Sequence, residues 1–178
     1  PGQYGAAEMR EIPAARPNSV DGWGRADLGF LAAPAPYTLW VDDHAQGLAT
    51  GQVAEYLGNA ERPLEVRSSN VPLRVMLAWS DPPASASAAR QLVNDLDLVV
   101  IGPGDVVYRG NRAANGDRLN NVEGIVIDRP AVGRYTVRVR GYNVPVGRQP
   151  YALALSGALD PAAPAPGGPQ LYIPLVAR

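Results

Sequence analysis

The 178-residue sequence has no cysteine and no lysine; all 16 basic residues are arginine, and His44 is the single histidine. Without cysteine, disulfide frameworks, thiol nucleophiles, zinc fingers and iron–sulfur sites are excluded together. No apolar run approaches the roughly 18 residues that cross a bilayer, so no membrane span is expected. The first residues also lack the basic, apolar and small-residue succession of a signal peptide. The chain is therefore expected to begin inside a longer protein or to follow a removed signal. A net charge of -1 gives no basic stripe for phosphate contacts, and no nucleic-acid partner is expected.

Glycine and proline are plentiful, at 19 and 18 residues. Apolar residues make up 46% and charged residues 19%, too apolar for disorder and too rich in breakers for a helical bundle. Leu73, Val75, Leu77 and Trp79 alternate with Arg74, Met76, Ala78 and Ser80, the period of two of a strand with one buried face. The same period marks Leu96, Leu98 and Val100, then Tyr135, Val137 and Val139, then Tyr151, Leu153 and Leu155. Weaker candidates near residues 37–41, 52–57, 64–68, 106–108 and 124–127 bring the expectation to about nine strands. Turn residues separate them at Pro82-Pro83, Gly102-Pro103-Gly104-Asp105, Asn115-Gly116-Asp117, residues 130–133 and residues 145–147. Strands without intervening helices imply an all-β fold, an antiparallel β-sandwich or jelly roll.

Composition divides the chain into three zones. Residues 1–36 hold a short helix-compatible stretch and read as the stub of a preceding domain. Residues 37–159 form the sandwich, and residues 160–178 are a Pro/Ala/Gly-rich linker with an apolar tail at 171–176.

The catalytic inventory is thin. His44 follows Asp42 and Asp43 in what reads as a solvated loop. No Gly-flanked serine resembles a nucleophile elbow, so no catalytic residue is expected. Asp95 and Asp97 lie two apart in an apolar strand, on one face, where two like charges repel unless something neutralises them. One candidate is calcium, which takes six to eight oxygens; Asp81, Asn111, Asp117, Asn120, Asn121 and Glu123 lie in nearby segments. The other reading pairs both aspartates with arginine or uses them to blunt an edge strand. Trp79 reads as core, and Trp23, between two glycines, as a residue that docks the N-terminal segment on a neighbour. Tyr108, Tyr135, Tyr142, Tyr151 and Tyr172 offer either a sugar-stacking platform or packing.

Two stretches carry a resemblance. Pro17, Asn18 and Gly22-Trp23-Gly24-Arg25-Ala26-Asp27-Leu28 look like the segment that ends the catalytic domain of subtilisin-like serine proteases. Leu77-Ala78-Trp79-Ser80-Asp81, residues 92–98, Asn120-Asn121-Val122-Glu123 and residues 142–147 match, in order, the C-terminal β-barrel domain of the oxidatively stable alkaline subtilases. The resemblance covers residues 17–159. It implies a non-catalytic jelly-roll domain packed on its own upstream protease domain, in a secreted or cell-surface serine endopeptidase whose Asp, His and Ser motifs precede Pro1. It further implies bound calcium, with Asn94, Asp95, Asp97, Asp117, Asn121 and Glu123 at the matching positions. Arg112 departs from the family pattern, which tends to be acidic there, and a positive charge at that point would replace an ion. A protein or glycan substrate is the remaining partner class.

Overall fold

A computed structural model describes residues 38–56 and 64–159, the single residues Asn18, Gly22 and Trp23, and the backbone of residues 170–173. The helix-compatible stretch expected near the N-terminus lies outside the described residues. The strands are β1 (Thr38–Leu48), β2 (Val53–Tyr56), β3 (Glu65–Val66), β4 (Leu73–Ala78), β5 (Asp95–Gly102), β6 (Val106–Arg109), β7 (Val122–Ile127), β8 (Gly133–Arg134), β9 (Thr136–Asn143), β10 (Gln149–Gly157) and β11 (Gln170–Ile173). The described helical elements are two three-residue 3-10 turns, Pro103–Asp105 and Gly110–Arg112.

Two sheets face each other, one ordered β11-β1-β10-β4-β7 and the other β2-β9-β5-β6, with β3 and β8 pairing separately. The antiparallel pairs β1·β10, β2·β9, β4·β7 and β5·β6 are nested in sequence, the outermost strands together and the innermost together. A long hairpin folded over on itself gives this order, which is that of a jelly roll. The alternation explains which faces meet. Leu73, Val75 and Leu77 of β4 and Leu153 and Leu155 of β10 point inward from one sheet; Leu96, Leu98 and Val100 of β5 and Val137 and Val139 of β9 meet them from the other. Each such side chain contributes roughly 1.5–3 kcal/mol when fully buried.

All nine expected segments are strands. Among the described residues there are two more: β8 is only two residues long and shows no period, and β11 belongs to the C-terminal apolar tail. His44 is not in a loop. Strand β1 continues through it, His44 is paired with Tyr151, and its ring stacks on that tyrosine with centroids 4.7 Å apart.

Candidate functional site

The polar residues singled out in the sequence gather where β5 begins, beneath the loop that joins the Gly110–Arg112 turn to β7. Asp95 and Asp97 do share a face of β5, and an arginine reaches both. Arg118 Nη1 donates to Asp95 Oδ1 at 2.9 Å and to Asp97 Oδ1 at 2.7 Å. Its Nη2 donates to the Asn115 carbonyl at 2.8 Å, and the guanidinium lies 3.4 Å above the ring centroid of Tyr142 on β9. Turn chemistry makes this reach possible. Gly116 adopts φ +83°, and a Cβ there would overlap both the Arg118 guanidinium and the Asp97 carboxylate. Only glycine meets both requirements at once.

Electrostatics follow from this packing. Burial pushes the Asp95 carboxyl above its ordinary range, although Arg118 opposes the shift. Asp117 is also desolvated, but its donors outweigh that penalty and hold its carboxyl below the ordinary range. Those donors are the Leu119 and Asn120 backbone N–H groups on Oδ1 and the Asn111 and Asn120 side-chain amides on Oδ2. Glu123 lies deeper, at 1% exposure. Its Oε2 accepts the Leu98 backbone N–H at 2.7 Å, bridging from β7 to β5 just beyond the last residue that pairs with β6. Gly110 passes so close that a Cβ would overlap this carboxyl group. Burial, reinforced by the Asp97, Asp117 and Asp95 charges and opposed by the Leu98 N–H, pushes the Glu123 carboxyl up to about 8.

The two asparagines act elsewhere. Asn94 clamps the β9–β10 connection, donating to the Val146 carbonyl at 2.9 Å and to Gln149 Oε1 at 3.0 Å and accepting the Val146 N–H at 3.1 Å. Asn121 donates to the Trp79 carbonyl at 2.8 Å. Asp81 accepts the Val93 and Asn94 backbone N–H groups, both at 2.7 Å. Thus Asp95, Asp97, Asp117 and Glu123 are neighbours, whereas Asn94 and Asn121 brace adjacent loops.

Asp95 Oδ2 and Glu123 Oε1 are buried without a hydrogen-bond partner, as the oxygens of an ion site would be. The rest of the arrangement does not fit a six-oxygen calcium cage. The Arg118 guanidinium stands where a cation between Asp95 and Asp97 would sit, and among the described residues no group of three or more His, Asp or Glu side chains converges in a metal-holding geometry. Arg112, the basic residue that the sequence resemblance draws attention to, is not the one bridging the aspartates. The Asn-Gly-Asp-Arg run at 115–118 was the available signal, since its glycine turns the following arginine back toward β5.

A second buried network escaped the sequence reading. Asp42 on β1 is fully buried and accepts the Tyr56 hydroxyl at 2.7 Å, while the Tyr151 hydroxyl lies 2.7 Å from that of Tyr56. Because Tyr56 gives its one proton to Asp42, Tyr151 donates to Tyr56. Burial raises both tyrosine pKa values. His44 Nδ1 stands 3.8 Å from Asp42, too far for a hydrogen bond. Tyr56→Phe strips Asp42 of its donor and should cost about 1–3 kcal/mol, more than Tyr151→Phe, when both are measured by urea unfolding. Equal losses in the two variants would contradict this proton assignment.

No protein-family model matches the chain. Curated proteins do. The serine protease/ABC transporter B family protein tagB of Dictyostelium discoideum is 28% identical over 170 residues, 86% of this chain and 9% of tagB. The similarly named tagD is 28% identical over 148 residues, 73% of this chain and 8% of tagD. The tagA protein is 29% identical over 98 residues, 49% of this chain and 6% of its own. The similarity is to serine protease-related proteins. The chain spans less than a tenth of each of these relatives, and among the described residues no helix is long and apolar enough to cross a membrane.

Proposed function

We propose that this chain is a non-catalytic accessory domain of a subtilisin-like serine endopeptidase that is exported from the cell, and that it stabilises the protease by packing against it. The observation that carries the reading is the alignment of most of the chain with proteins named as serine proteases, added to the ordered motifs of residues 17–159. On this reading residues 1–36 belong to the end of the protease domain, residues 37–159 are the accessory domain and residues 160–178 its extension. Trp23 supports it. This residue precedes the sandwich by 15 positions, yet its ring lies on Gly124 of β7 beside the Met76 sulfur, so closely that a Cβ on Gly124 would overlap the indole. The Trp23 ring is thereby seated on the outer face of the larger sheet.

The test is the parent protease produced with and without residues 73–156. Loss of the domain should shorten the half-life of the protease at elevated temperature and leave kcat and KM for a short peptide substrate unchanged. An unchanged half-life would overturn the proposal. Glycan binding finds less support, because a sugar platform needs several open rings. Trp23 and Tyr142 are the exposed aromatics among the residues whose side chains are described, and Arg118 occupies one face of Tyr142.

We further infer that Arg118, in place of calcium, balances the aspartate pair. Excess EDTA should leave the melting temperature of the chain unchanged. An ion that binds only the folded state at 100 times its dissociation constant adds about 2.7 kcal/mol, so a calcium-dependent rise of several degrees would show that a metal displaces the guanidinium.

A further inference from the structure

Sheet edges expose unpaired backbone groups, and proteins protect them. Among the described strands the edges are β2 and β6 in one sheet and β7 and β11 in the other. Strands β2 and β6 are only four residues long, and Glu55 on β2 pairs with Arg138. Over Val122–Gly124 the β7 edge is closed by one side chain: the Asn111 amide donates to the Val122 carbonyl at 2.8 Å and accepts the Gly124 N–H at 2.9 Å, as a neighbouring peptide group would.

Strand β1 is different. Over its second half the edge is blunted locally, by the exposed Asp43 and by the irregular register between His44 and Leu48. Its first half, Leu39-Trp40-Val41-Asp42, has no such device and would be a flat, largely apolar edge. That stretch is the part covered by β11, with Leu39 opposite Ile173, Trp40 opposite Tyr172, Val41 opposite Leu171 and Asp42 opposite Gln170. Because β10 and β11 both run antiparallel to β1, they are parallel to each other, and β11 is no hairpin continuation of β10. It arrives from a separate part of the chain, after the Pro/Ala/Gly-rich sequence 160–169.

We propose that the Leu39–Asp42 edge of β1 is a strand-binding site for an extended apolar peptide, and that residues 170–173 are its resident, exchangeable ligand. Main-chain hydrogen bonds supply the attraction in such β-augmentation. The covalent link gives the resident strand an effective concentration on the order of millimolar, so a free peptide competes poorly until that strand is disabled.

The absence of native cysteine makes a direct test available in the full chain. Val41→Cys with Leu171→Cys places two thiols on opposed residues, within the Cα separation that a disulfide bridges. Mild oxidation should produce an intramolecular disulfide, whereas Ala45→Cys with Leu171→Cys should stay reduced. A synthetic peptide of residues 168–178, followed by fluorescence anisotropy, should then bind the full-length Leu171→Pro/Tyr172→Pro chain at least tenfold more tightly than the unaltered chain. The proposal is overturned if the disulfide forms no faster than in the control pair or only between chains, or if the peptide binds both chains equally or neither.

Discussion

Arg118→Ala should lower the stability of this domain by about 3 kcal/mol, because removing one partner of a buried ion pair leaves its counterpart buried and uncompensated. The figure belongs at the low end of the roughly 3–5 kcal/mol range for such deletions, since the Arg118 side chain is 23% exposed. The loss falls mainly on Asp95, whose side chain is 1% exposed and whose second oxygen already lacks a partner. In a thermal scan this corresponds to a drop of roughly 6–12 °C for a domain of this size. Two further results would identify the cause as charge. Asp95→Asn in the Arg118→Ala background should recover part of the loss by removing the stranded charge. The cost of Arg118→Ala should also shrink as pH falls, because burial already favours the protonated form of Asp95. A loss below 1 kcal/mol in urea unfolding, or no recovery in the double variant, would show that solvent can replace Arg118.

Glu123 should give the domain an unusual pH dependence. Its carboxyl is raised from an ordinary 4.5 to about 8 by burial, so the folded state holds a proton that the unfolded state releases. The stabilisation is fully present below pH 4.5 and is lost as pH rises through about 8, with a slope of up to about 1.4 kcal/mol per pH unit in that window. Glu123→Gln keeps an oxygen for the Leu98 N–H and carries no proton to lose. The variant should match the parent chain near pH 4.5 and exceed it by several kcal/mol, on the order of 4, at pH 8. Parallel urea titrations between pH 4.5 and 8.5 check this. A stability difference independent of pH would mean that Glu123 does not titrate in the folded state over this range.

These two residues lay at different distances from what a sequence can reveal. Glu123 sits in the Asn120-Asn121-Val122-Glu123 run and was identifiable as a functional candidate, but its burial depends on Gly110 crossing above it and on the free Leu98 N–H. Arg118 was one arginine among 16. Nothing in local periodicity separates it from Arg112, and only the left-handed backbone at Gly116 turns it toward β5. Asp42 had no signal beyond its neighbours Asp43 and His44, since three consecutive polar residues conceal a strand in which the first and third face inward.

By itself the sequence determined nine of the eleven described strands and the class of fold, because alternation along a segment records which side of that segment meets the core. It also excluded catalysis by cysteine and showed no second histidine. Tertiary structure alone decided the partners: that an arginine faces the aspartate pair, that Asp42 lies beneath two tyrosines, and that the C-terminal segment returns to cover β1. These pairings join residues from 14 to more than 100 positions apart, and they form only when the nested hairpin has folded and its loops are in place. A local pattern records whether a residue is buried, but which residue it is buried against depends on the whole chain.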